Sequence, residues 1–216
     1  MQRVFLCSDQ HEKHTPTVNA ELFDALKDTN QRILYVPSES DASRRYFRKC
    51  VDYYEYLGFS DVIYFDLGTE YDPKRLNELN SCDVIHLSGG RTAPFLRSMA
   101  AKGFAARLSQ HLSKGGFIVG VSAGAMILGT HVFADAPDPH GKQTQPGLRI
   151  VSFDILPHFD DSEAELMAIG NHLRRKRSPV WGIANDSVLI CTREAPGEEW
   201  QTESVDPHGL SRYFSV

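Results

Sequence analysis

The stretch GGFIVGVSAGAMILG, residues 115–129, places a single hydroxyl where a short apolar run meets a turn of small residues. FIVGV has the composition of a buried strand, and AGAMILG can start a helix. Flanked as G-V-S-A-G, Ser122 fits the pattern in which a sharp strand-to-helix turn presents a nucleophile. The alternative is a small polar residue inside a structural turn. Attack on a carbonyl also needs a base to take the serine proton, and a third group to hold that base in its useful tautomer. His158, in FDILPHFD directly after an expected strand, is the base that this placement favours. His131 and His140 lie in a polar loop and are weaker choices. His11 and His14 belong to the first loop, and His86 sits inside an expected strand as a packed or rim residue. The oxyanion of a tetrahedral intermediate needs donors fixed before charge develops. The Ala123 N–H beside the serine and the Gly90 N–H across a strand-end crevice are the expected pair.

These groups need elements to hold them. RVFLCS (3–8), RILYVPS (32–38), DVIYFDL (61–67), DVIHLSGG (83–90) and FIVGV (117–121) read as strands. Helical spacing recurs between them, over 18–28, 44–57, 73–80 and 93–115, with a break expected at Gly103. In 44–57 the expected apolar stripe is Tyr46, Phe47, Val51, Tyr54 and Leu57. Short apolar strands alternating with amphipathic helices indicate a parallel α/β architecture. Active groups of such sheets gather beyond the carboxyl ends of the strands, where Gly89-Gly90 and Ser122 both fall. Residues 131–147 read as a long polar loop, and 148–160 returns to β-like composition. SEAELMAIGNHLRRK (162–176) reads as a helix capped by Ser162. PVWGIAN and DSVLICT (179–192) read as two strands of a hairpin, and a small terminal β structure follows Arg193. With no repeat and no linker, residues 1–216 are expected to form a single domain.

The composition narrows the classes of function. The chain has 216 residues, 41% of them hydrophobic, and a formal net charge of −5, which is ordinary globular composition with no basic surface for nucleic acid or anionic lipid. The basic run Arg174-Arg175-Lys176-Arg177 reads as a solvated helix end. Cys7, Cys50, Cys82 and Cys191 form no CxxC pair and are expected to be separate reduced thiols in the cytoplasm. The start MQRVFLCSDQ is not that of a signal peptide, and no apolar run approaches a membrane span. There is no HExxH and no compact ligand cluster along the chain, so neither a metal nor a cofactor is expected.

HLSGGRTAPFL (86–96), GVSAGAMILG (120–129), ILPHFD (155–160) and VWGIANDSVLI (180–190) occur in this order. Over roughly residues 3–192 the chain resembles the peptidase E and cyanophycinase family, serine peptidases related in fold to class I glutamine amidotransferases. The resemblance implies a flavodoxin-like three-layer α/β/α sandwich with a mostly parallel central sheet. It also implies Ser122 as nucleophile and His158 as base. Where the family usually carries a glutamate, three residues after Gly182, this chain has Asn185, with Asp186 next to it. Asn185 is the positional choice for the third member. Asp186, or Asp135 and Asp138 in the loop after the nucleophile, are the other candidates. Arg91 stands where the family often has Asn or Asp. It has two readings, a fork for a substrate carboxylate or a partner for an acidic surface residue. The implied activity is cleavage of a peptide bond in small peptides, Asp-Xaa dipeptides among them. The different-class alternative is a non-catalytic protein that binds a small anionic ligand in the same crevice. A homodimer is compatible with the sequence, which identifies no interface.

Overall fold

A computed structural model of the chain describes residues 1–27, 32–133 and 144–215. Twelve strands occur among them: β1 Gln2–Cys7, β2 Arg32–Val36, β3 Asp61–Tyr64, β4 Val84–Leu87, β5 Phe117–Val121, β6 His131–Val132, β7 Gln145–Pro146, β8 Asp154–Pro157, β9 Val180–Ile183, β10 Val188–Arg193, β11 Gln201–Val205 and β12 Arg212–Phe214. The helices are α1 Pro16–Leu26, α2 Arg45–Tyr56, α3 Glu78–Ser81, α4 Thr92–Ala101, α5 Phe104–Ser113, α6 Ala123–Met126 and α7 Glu163–Lys176, with a 3-10 turn at Pro73–Asn77.

The main sheet has the order β11-β10-β1-β5-β4-β2-β3. Its β1, β5, β4, β2 and β3 run parallel, and β10 and β11 extend it antiparallel beyond β1. Both faces of the parallel part are apolar, because successive side chains point to opposite sides. Val4, Leu6, Leu34, Val36, Ile85, Leu87 and Ile118 pack on one side with residues of α4 and α5 such as Phe95 and Phe104. Phe5, Cys7, Ile33, Tyr35, Val84 and Val119 pack on the other with Val18, Leu22 and Leu26 of α1 and Cys50, Tyr53 and Tyr54 of α2. The result is a three-layer α/β/α fold of flavodoxin-like topology. A second sheet, β12-β9-β8, joins the first of these cores through Ile155, Val180 and Ile183.

Several local expectations change. β9 and β10 are not a hairpin. β9 lies parallel to β8 in the small sheet while β10 pairs with β1 in the large one. The turn between them therefore bridges two sheets. The stripe of α2 is set by Cys50, Tyr53, Tyr54 and Leu57, and Tyr46 is exposed. Only Asp154–Pro157 of the β-like stretch 148–160 is a strand. Ser162 occupies the cap position of α7 without a side-chain capping bond. Glu163 and Glu165 in the first turn, and Arg174, Arg175 and Lys176 in the last, complement the helix dipole instead. Gly103, at φ 57, does separate α4 from α5.

His86 lies on β4 at the centre of the sheet. It is buried, stacks on Tyr35 at a centroid distance of 5.3 Å, and its Nδ1 lies 3.0 Å from the Tyr54 hydroxyl. Burial lowers its pKa from 6.5 to about 3. Between these values the unfolded chain takes up a proton that the folded chain does not. The stability from neutral His86 is complete above pH 6.5 and is lost as pH falls toward 3. We expect urea unfolding of the His86→Gln variant to show a shallower acid dependence across this window, by up to about 1.4 kcal/mol per pH unit.

Candidate active site

The parallel strands β1, β5 and β4 end together, and the site is assembled from the residues just beyond these ends and beyond β8. After β5, Ser122 has φ 49 and ψ −110, a backbone conformation that costs about 1–3 kcal/mol outside glycine. The surrounding structure holds it there. The Ser122 N–H donates to the Cys7 carbonyl of β1 at 3.0 Å, and its own carbonyl accepts the N–H groups of Ala125 and Met126, each at 3.0 Å. The small neighbours have a steric reason. A Cβ on Gly124 would stand 2.1 Å from the Leu87 carbonyl oxygen of β4, so only glycine lets the turn sit against that strand. The next helix is the single turn α6. It presents the local Ala123 N–H beside Ser122 and carries no long helix dipole.

After β4, Gly90 has φ 131, and a Cβ there would lie 2.1 Å from Ser38 Oγ. A Cβ on neighbouring Gly89 would lie 3.6 Å from Ser122 Cβ. The glycine turn thus lies directly beside the serine. Among the described residues no acceptor is seen for the N–H of Gly90 or of Ala123. A crevice of about 740 Å³ opens alongside, lined by Gly89, Gly90, Arg91, Glu39, Lys49 and Val121. The Arg91 guanidinium forms a two-point ion pair with Glu39, its Nε donating at 2.8 Å. Of the two sequence readings of Arg91, the acidic partner is the one seen.

After β8, His158 has a left-handed backbone, φ 58. Its Nε2 lies 3.0 Å from Ser122 Oγ, and its Nδ1 lies 2.8 Å from Asn185 Oδ1. Ser122 is half-buried, and His158 is exposed at the mouth of the site. Asp186 points elsewhere. Its carboxylate accepts the N–H of Thr17 at 2.9 Å, the Thr17 hydroxyl at 3.1 Å and the Val18 N–H at 3.3 Å. It serves as a borrowed cap for α1, whose own cap residue Thr15 makes no such bond. The alternative of Asp186 behind His158 is therefore corrected, because its oxygens are taken up by the helix start. Asp135, Asp138 and His140 lie outside the described residues. The rings of His11 and His14 lie 4.4 Å apart, tilted by 38° to each other.

Sequence reasoning missed two features. One is Ser8, a buried residue just past β1, whose Oγ accepts the His158 N–H at 2.7 Å and lies 3.4 Å from Asn185 Oδ1. The other corrects the expectation of no compact ligand cluster. His131, Asp154 and His172 have ligand atoms all within 4.8 Å of one another. They come from β6, β8 and α7, so no short spacing announces them. Each Asp154 oxygen meets two donors. The Thr130 hydroxyl and the His131 N–H reach Oδ1, both at 2.6 Å, while His172 Nε2 at 2.6 Å and His131 Nδ1 at 3.3 Å face Oδ2. This arrangement is a saturated hydrogen-bonded anchor. The buried His172 Nδ1 has no partner among the described residues, whereas a metal-bound imidazole is normally oriented through its second nitrogen.

A serine and an imidazole in contact at the strand ends of a three-layer α/β/α protein form an arrangement that recurs in hydrolases. Residues 4–195 match the model of peptidase family S51, and the chain belongs to that family of peptidases. It is 27% identical over 155 residues to an uncharacterized peptidase of Pasteurella multocida (strain Pm70), covering 65% of this chain and 73% of that one. In fold it is similar to a candidate peptidase E of Listeria monocytogenes EGD-e, with a TM-score of 0.67 at 20% identity over 95% of this chain and all of that one. It is also similar to a peptidase from an acI-B1 Actinobacterium, with a TM-score of 0.63 at 18% identity over all of this chain and 95% of that one. Among the described residues no helix is long and apolar enough to cross a membrane.

The anchor behind β8 has a measurable consequence. Burial opposes ionisation of Asp154, but the bonds from His172, Thr130, His131 and Ser178 outweigh it and bring its pKa from 3.8 to about 2. The stabilisation is present above pH 3.8 and is lost as pH falls through 2. We expect Asp154→Asn to cost about 3–5 kcal/mol at neutral pH in chemical unfolding, and to remove the acid transition in that window.

Proposed function

We propose that the protein is a serine peptidase that cleaves a peptide bond in small peptides, with Ser122 as nucleophile, His158 as base and Asn185 as the group that orients the base. The observation that carries this reading is the continuous contact from Ser122 Oγ to His158 Nε2 at 3.0 Å and from His158 Nδ1 to Asn185 Oδ1 at 2.8 Å.

The Ser122 hydroxyl gives its proton to His158 Nε2 as Oγ bonds to the scissile carbonyl carbon. The carbonyl oxygen becomes the oxyanion, facing the N–H groups of Gly90 and Ala123. Collapse breaks the C–N bond, and His158 returns the proton to the leaving amine. Water then repeats the sequence on the acyl-serine, with His158 again as base, and releases the acid. Asn185 supplies no negative charge to the imidazolium. Its part is to accept a hydrogen bond from the His158 Nδ1–H and so keep the Nε2 lone pair available.

The substrate is a short peptide, held in the crevice beside Gly90. Arg91 stands at its mouth, and exchange of Glu39 for a substrate carboxylate on its guanidinium would favour an aspartyl residue on the amino side of the scissile bond. Glu39 shares that guanidinium, so the preference is weaker than an unshared arginine would impose.

A panel of dipeptides that includes Asp-Xaa and Asn-Xaa tests both levels of the proposal. We expect Ser122→Ala to lower kcat on the order of 10⁴- to 10⁶-fold while leaving the melting temperature intact. Undiminished turnover in that variant contradicts the mechanism. We expect Arg91→Met to narrow the Asp-Xaa over Asn-Xaa ratio through KM. An unchanged ratio removes Arg91 from substrate recognition.

A further inference from the structure

We propose that Ser8 is a positioning residue whose single hydroxyl proton selects the orientation of the Asn185 amide, and through it the tautomer of His158. The inference rests on the hydrolytic reading above and deepens it.

Ser8 is fully buried. The His158 backbone N–H is a fixed donor 2.7 Å from Ser8 Oγ, so the oxygen must accept there. Its proton is then directed elsewhere, and the acceptor within reach is Asn185 Oδ1 at 3.4 Å. An asparagine can turn either end of its amide toward the imidazole. With Oδ1 inward, His158 carries its proton on Nδ1, and the Nε2 lone pair faces Ser122. With Nδ2 inward, His158 Nδ1 must accept, the proton moves to Nε2, and the base is blocked. That flipped state would also leave the buried Ser8 O–H without its acceptor, which makes it the costlier one.

A carboxylate at position 185 would present two equivalent acceptors and need no such selection. Ser8 therefore answers a difficulty created by the asparagine. It also secures the His158 backbone in its left-handed conformation, a structural part that the test must separate from the selection.

The test uses the full-length protein and reads the rate at which a fluorophosphonate labels Ser122, together with the ¹⁵N shifts of the His158 ring at about pH 8, where a free imidazole is neutral. We expect the wild-type ring to be protonated on Nδ1. Ser8→Ala should slow labelling about tenfold and populate the Nε2-protonated ring. Ser8→Cys, which keeps the volume with a weak donor, should behave likewise, and Ser8→Thr should restore both readouts. With Asn185→Asp as reference, adding Ser8→Ala should slow labelling by less than about threefold, because the amide choice no longer exists.

An equal loss in both backgrounds, or an unshifted tautomer in Ser8→Ala and Ser8→Cys, overturns the proposal in favour of a purely structural role. A wild-type ring protonated on Nε2 overturns it without any variant. If Ser122 resists labelling while the tautomer still responds to Ser8, the hydrolytic reading fails and the selection by Ser8 stands.

Discussion

The site depends on the carboxyl end of β1. Its last residue, Cys7, accepts the Ser122 N–H, and the next, Ser8, accepts the His158 N–H. β1 lies between β5, which leads into the serine, and β10, which begins after the Asn185-Asp186 turn. Three segments distant in sequence are thereby registered against the last residue of one strand and the residue that follows it. The paired strands on either side are buried and continuous, so the reference point moves only if the sheet moves. The groups above it sit at the solvent edge, where a peptide has access.

The same edge concentrates unfavourable backbone conformations. Ser122, His158 and Asp186 all have positive φ without being glycine. Each is held by bonds from outside its own segment: Ser122 by β1, His158 by Ser8 and by Phe159 N–H donating to the Ile183 carbonyl, and Asp186 by the start of α1 and by its N–H to Asp9. The strain has a geometric use. It turns the serine out of the strand and the histidine back toward it, and it sends adjacent side chains at 185 and 186 to the imidazole and to a helix start. The Asp154 anchor at the other end of β8 ties that strand to β6 and α7, so the strand that carries His158 is fixed at both ends.

Much of this was legible in the sequence, for identifiable reasons. FIVGV, DVIHL and RVFLC are rich in apolar residues because both faces of a parallel strand are covered, so their order and the position of the strand ends could be read directly. Ser122 and His158 stand immediately after such strands, and their meeting comes from the architecture. Asn185 was placed by family resemblance, and its contact with His158 is a matter of geometry that no local pattern shows. What failed to show has a common physical origin, in contacts made between elements far apart in the chain. The β9–β10 pair looked like a hairpin because the two strands adjoin in sequence, while each finds its partner in a different sheet. His131 and His172 lie 23 and 18 residues from Asp154, their shared partner. Ser8 acts through a backbone N–H 150 residues away. Tyr46 fitted the helical period of α2, yet it is exposed, and the buried face of the helix is formed by Cys50, Tyr53 and Tyr54.

The central claim is that Ser122 becomes covalently acylated during turnover, and trapping that intermediate tests it most directly. An activated ester of a short peptide, mixed with the protein and quenched in acid within the first turnover, should add one acyl group by intact mass. Peptide mapping should place that mass on Ser122 within residues 115–129, and Ser122→Ala should abolish it. Turnover of the ester with no adduct, or an adduct that persists in Ser122→Ala, would contradict the account.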